Sequence, residues 1–321
     1  MEQRDQNPDQ QPVSDHDSPW KEALEHYFPD FLELLFPAIH AEIDWQQAPV
    51  FLDKELQQVV RDADVGRRYA DKLVKVFSRE GNETWVLIHV EVQGEPAPDF
   101  AERMYRYFTR LRDRYGVDVV SLAVLADSSP AFHPRGFQLE RWGCSNAFHF
   151  PTAKLLEYLE PSRWAALEQS SNRFALVVMA QLRAKVTKDA DELKGWKFRL
   201  VRSMYERGYG RSDILEMFRI IDWMISLPSA LEALFREDVY QFEEEHKMPY
   251  VTTVERAGIE KGIQLGMQQG EAAILLHLMA RKFGADVAEH YRAQIEQANT
   301  ETLLAWSDRI LSADTAEAIF H

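Results

Sequence analysis

The chain has 321 residues, 45% hydrophobic and 28% charged, with a net charge of −15, which gives room for two domains and a sizeable core. No run of 18 apolar residues occurs, which excludes a helical membrane span, and the single cysteine, Cys144, excludes an internal disulfide and a cysteine-rich zinc site. The acidic balance speaks against a protein that coats nucleic acid by bulk electrostatics, though not against one that handles it through a local patch.

Residues 1–19 are rich in Gln, Asp, Pro and Ser, so a disordered acidic tail is expected. They hold no apolar signal core, and a cytoplasmic protein is expected. From Trp20, Leu24, Phe28, Phe31 and Leu35 recur at helical spacing, with Pro29 as a kink or restart and Pro37 as a stop. A short helix is expected over 54–60. The period then changes to two, predicting a strand over 70–78, a turn over Arg79–Glu83 and a second strand over Trp85–Gln93. A helix follows from Pro98 to Tyr115. The near-continuous apolar run 117–125 fits a strand covered on both faces. Two shorter strands, Phe137–Arg141 and Asn146–Phe150, form a hairpin.

From Pro151 the pattern is helical to the end, with Gly208-Tyr209-Gly210 and Leu227-Pro228 as breaks and Gly284 as a stop. Asp314 and Glu317 predict a capping box for a final helix. Glycines 258, 262, 266 and 270 recur every four residues, as a docking helix that packs closely on another or as a loose linker. The expected organisation is an α/β domain over 20–152, a helical region over 153–250, a glycine-ladder helix over 251–270 and a small helical domain over 271–321.

Chemistry is expected where the two long strands end. With the turn centred on Gly81, Asp71 faces Glu91, and facing Cβ atoms lie about 4.5–5.5 Å apart. Two carboxylates at that distance repel unless a cation lies between them. Alternation puts His89 and Gln93 on the face of Glu91. This is a two-oxygen site for Mg²⁺, or else a surface pair neutralised by Lys72 or Arg103. A one-residue slip of register would turn Asp71 away. In the next helix Arg103, Arg106, Arg110 and Arg114 are spaced 3, 4 and 4, with Tyr107 beside them. They form a basic ridge suited to a phosphate backbone, or a solvated face paired with Asp99, Glu102 and Asp113. Residues 61–115 carry eleven basic and ten acidic side chains, so this window stands at +1 while the rest of the chain holds −16.

These residues carry a resemblance. Asp71, Glu91-Val92-Gln93 at the end of an apolar strand and Phe100-Ala101-Glu102-Arg103-Met104-Tyr105-Arg106-Tyr107 resemble the Rpn family of recombination-promoting nucleases, also called YhgA-like transposases, within the PD-(D/E)XK superfamily. Two upstream stretches, Phe31–Pro37 and Phe51–Leu56, fit the same resemblance, which covers roughly residues 20–130. The stretch from Gly270 to His321, with Arg281-Lys282-Phe283-Gly284, is similar to a small domain of unknown function often fused to such nucleases.

The resemblance implies a restriction-endonuclease-like α/β core, a mixed sheet flanked by helices, followed by an all-helical C-terminal region. It implies a metal-dependent DNA endonuclease linked to recombination or mobile elements. Asp71, Glu91 and the carbonyl of Val92 would hold Mg²⁺ or another divalent cation, Glu55 would add an acidic group, and Arg103, Arg106, Arg110 and Tyr107 would contact DNA. Gln93 stands where the superfamily usually has its catalytic lysine; an amide can orient a water but carries no charge. Two other classes compete: a non-catalytic DNA- or protein-binding module, and a scaffold that forms homo-oligomers through its C-terminal helices.

Overall fold

Proline divides the start of the folded chain into three short helices, α1 (Pro19–His26), α2 (Phe28–Leu35) and α3 (Pro37–Glu42). Pro29 and Pro37 each occupy a first helical turn, where a missing N–H has no partner to lose. Pro37 therefore ends one helix and opens the next. Leu24, Phe28, Phe31 and Leu35 are all buried, as their spacing predicts. The computed structural model describes residues 19–54, 56, 70–79, 85–310, 313 and 315–320; the expected tail up to residue 18, most of the 54–60 helix and the turn after Arg79 lie outside them, and Pro19, expected in the tail, opens α1.

The central sheet has five strands in the order β1–β2–β3–β4–β7: β1 (Val50–Phe51), β2 (Ala70–Phe77), β3 (Trp85–Gln93), β4 (Val119–Leu125) and β7 (Thr152–Lys154). β1, β2 and β3 are antiparallel neighbours, whereas β3, β4 and β7 run parallel. The two edge strands leave no alternation signal, since they hold two and three residues. Asp71 stands opposite Glu91 and Phe77 opposite Trp85, the register expected from a turn centred on Gly81.

That register sorts side chains to two faces. On one face Lys72 reaches Glu25 of α1 and Asp53. On the other, helix α4 (Phe100–Tyr115) lays Phe100, Met104, Tyr107 and Leu111 onto the sheet. Leu111 joins Leu56, Leu73, Leu87 and Val119 in one apolar cluster, while Phe100 and Met104 join Ala123, Leu125, Phe148 and Phe150 in another. Gly116, in the left-handed conformation at φ 64°, ends α4.

Between β4 and β7 the chain forms a separate hairpin, β5 (Gly136–Arg141) and β6 (Cys144–His149). Its base packs on α4 through ring contacts of Phe137 and Phe148 with Tyr105. A buried ion pair anchors the connection: Lys154 Nζ meets both carboxylate oxygens of Asp127, at 2.8 and 2.7 Å, and the carbonyls of Ser129 and Phe132. The two-residue loop Trp142–Gly143 has positive φ at both positions, 51° and 83°, as a type I′ hairpin turn requires.

Helices α5 (Pro161–Gln169), α6 (Phe174–Val186), α7 (Ala190–Glu206), α8 (Arg211–Met224) and α9 (Ser229–His246) complete the first of two compact units, Met1–His246. They share it with the sheet: Phe174 of α6 packs its ring on Trp20 and Phe31. Arg173 reaches Asp30 of α2 and Asp213 of α8. The second unit, Lys247–His321, holds α10 (Tyr250–Phe283), α11 (Ala285–Gln297) and α12 (Thr300–Ile310). Leu275, Met279, Ile295, Leu303, Trp306 and Ile310 form its core.

The backbone is helical through the glycine ladder, inside the 34 residues of α10. A Cβ at Gly258 or Gly270 would meet nothing within 4 Å among the described residues. The expected final helix is instead a 3₁₀ turn, Glu317–Ile319; Asp314, its expected cap, lies outside the described residues. Among those residues, no helix is long and apolar enough to cross a membrane.

Two stability outcomes follow. Lys154→Met strands the fully buried Asp127 carboxylate without its cation and should cost about 3–5 kcal/mol, read as a lowered denaturant midpoint. Trp142→Gly removes a bulky side chain from a left-handed position and should stabilise by roughly 1 kcal/mol, read as a raised Tm.

Candidate active site

Strand β3 is apolar on both faces until His89, Glu91 and Gln93, which alternation places on the face covered by α4. His89 and Glu91 are buried, Glu91 at 1% exposure. A carboxylate so far from water demands compensation, and α4 supplies it. Arg103 Nε and Nη2 donate to Glu91 Oε1 at 3.2 and 3.1 Å, and Nη2 also donates to Gln93 Oε1 at 2.7 Å. Its Nη1 lies 3.6 Å from Asp99 Oδ1, and the guanidinium stacks over Phe100.

This is not the parallel fork of two nitrogens on two oxygens. Both donors converge on Oε1. Oε2 lies 3.4 Å from His89 Nε2 and accepts no hydrogen bond among the described residues. The His89 ring meets Tyr107 edge-on at 5.3 Å. Gln93 is held at both ends of its amide, since its Nε2 donates to the Glu95 carbonyl.

The predicted residues are thus brought together unevenly. Asp71 is opposite Glu91 in the backbone register; its side chain, like all of Glu55, lies outside the described residues. Val92 sits between Glu91 and Gln93 with its side chain buried on the opposite face. The expected four-arginine ridge divides. Arg103 is 8% exposed and turned inward, and Tyr107 is fully buried against His89, so neither presents a surface to DNA. Arg106 is exposed and pairs with Glu102 at 2.6 Å; Arg114 is exposed and Arg110 half-buried.

One sequence signal pointed to Arg103. Phe100, Met104, Tyr107 and Leu111 form the inner stripe of α4, and Arg103, one turn after Phe100, falls inside it. A charged residue within an apolar stripe has a buried partner. His89 gave no such signal, because a histidine in a buried strand is ordinarily a satisfied core residue.

The residues present fit a divalent cation at one point: Oε2 of Glu91 is a buried carboxylate oxygen without a hydrogen bond among the described residues, on a residue whose strand position is opposite that of Asp71. Among the described residues no cluster of three or more His, Cys, Asp or Glu occurs. The one donor atom described here is a carboxylate oxygen, of the kind a hard ion that retains several waters takes.

Arg103→Ala leaves Glu91 buried and unpaired and should cost about 3–5 kcal/mol, whereas adding Glu91→Gln in the same chain should recover part of that loss. A double-mutant cycle by urea denaturation measures the coupling; additive losses would show that the pair is not the interaction holding α4 to β3. Comparison of the chain with protein-family models, with curated proteins and with solved structures finds no match.

Proposed function

We propose that the chain is a metal-dependent DNA endonuclease of the PD-(D/E)XK type, acting on phosphodiester bonds in a recombination setting. The observation that carries this reading is the register: Asp71 stands opposite Glu91 at the end of β3, and Gln93 follows on the same face. In this reading Asp71 and Glu91 Oε2 hold a divalent cation such as Mg²⁺, with the Val92 carbonyl beside them. The bound ion would lower the pKa of its water and neutralise charge gathering on the phosphate.

The chain's own residues take defined parts. Arg103 holds Oε1 of Glu91 and leaves Oε2 for the ion. Gln93, fixed by Arg103 and the Glu95 carbonyl, orients a water without taking its proton. Arg106 and Arg110, farther along α4, contact the sugar-phosphate backbone.

A second reading has its own observation. The Arg103 guanidinium already neutralises Glu91, and Gln93 carries no charge, so the same fold would serve as a DNA-binding module without cleavage. Supercoiled plasmid separates the two. The nuclease reading expects nicking that requires Mg²⁺ and falls to background in both Asp71→Ala and Glu91→Ala. Salt-sensitive binding by a folded wild type that never nicks would favour the module. Nicking retained in both variants would remove the site from the mechanism.

A further inference from the structure

The tip of the β5–β6 hairpin is a second place where the chain departs from what stability alone would select. Trp142 is 94% exposed and holds φ at 51°, in the first central position of a turn that favours Asn, Asp or Gly. A bulky residue in the left-handed region is an outlier, and such outliers concentrate at functional sites. Its neighbour is Arg141, whose guanidinium lies 4.8 Å from the ring centre. Arg141 itself makes no ion pair among the described residues.

The hairpin is an arm. At its base the cross-strand pair Phe137–Phe148 packs on α4, but Leu139, Arg141 and Cys144, farther along the same face, are exposed. The other face carries Gln138, Glu140, Ser145 and Ala147, all exposed. Large exposed apolar side chains on the arm are therefore limited to Leu139 and Trp142, too few for the contiguous patch that a protein partner or a bilayer would cover. What the tip does present is a flat aromatic ring beside an uncompensated cation. Residues 133–149 hold Arg135 and Arg141 against Glu140 alone, a positive segment in a chain of net charge −15.

From this we infer that the arm binds DNA at unpaired bases: the Trp142 indole stacks on an exposed base while Arg141 meets the adjacent phosphate. Stacking on an aromatic side chain is available to any base and requires one that has left the duplex. The inference deepens the nuclease reading by naming its substrate as single-stranded, gapped or otherwise distorted DNA. The arm stands on the α4 side of the sheet, the side that carries Glu91, and packs on Tyr105, next in sequence to Arg106.

The test is binding of fluorescently labelled oligonucleotides to the full chain in chelator, so that no cleavage occurs. A single-stranded thymidine oligonucleotide, a gapped duplex and a fully paired duplex are compared across wild type, Trp142→Ala and Trp142→Phe. Wild type should prefer the first two. Trp142→Ala should lose about 10-fold or more in affinity for them and less than about 2-fold for the paired duplex, and Trp142→Phe, which keeps a ring, should retain most of the preference. Equal affinity of Trp142→Ala and wild type for every oligonucleotide would overturn the inference. So would binding of phosphatidylcholine vesicles that is lost in Trp142→Ala while DNA binding is untouched. Plasmid nicking separates the two proposals. A wild type that nicks but shows no Trp142 effect removes the arm and leaves the nuclease; Trp142-dependent binding without nicking does the reverse. A wild type that binds no DNA removes both.

Discussion

A carboxylate at 1% exposure in the middle of a protein has to be answered by a cation or by hydrogen bonds, and the α4 side of this sheet is organised around that demand. Glu91 is held there by the β2–β3–β4 register, and Arg103 is the answer. The pair fixes α4 at its N-terminal end, and Phe100, Met104, Tyr107 and Leu111 then settle onto the strands. Because both arginine nitrogens converge on Oε1, the second oxygen of Glu91 has His89 Nε2, 3.4 Å away, as its neighbour.

Two buried lysines of the sheet show how the chain handles charge. Lys72, on the opposite face of β2, meets Glu25 and Asp53. Lys154 on β7 meets Asp127 at the end of β4 and two carbonyls in the loop beyond. Lys154 matters for the arm, because it ties down the loop from which β5 leaves the sheet. A rigid base lets an exposed tip hold one direction, so the cost of Trp142 in its turn can be carried by well-packed contacts at Phe137 and Phe148. The second unit is built differently, from α10, α11 and α12 around Leu275, Met279 and Trp306, and its glycine ladder offers backbone without close neighbours among the described residues at Gly258 and Gly270.

Local rules were enough for the long strands β2 and β3, their register, helix α4, the β5–β6 hairpin and the helices that come after β7. Each of these rests on local rules: alternation with period two, apolar spacing near 3.6, and turns whose φ values only certain residues favour. The register needed only a turn centre and the parity of the strand. Tertiary structure decided what those rules do not reach. β1 and β7 are too short to leave a pattern and exist because neighbouring strands offer them hydrogen bonds. Arg103 and Arg114 lie within about 20° of one another around the axis of α4, yet about 16 Å apart along it. Sequence spacing gives the angle, whereas only the depth of the sheet beneath decides that Arg103 is drawn into the interior and Arg114 emerges into water. An arginine's destination is set by the charge it finds across space, and that charge sits on another strand.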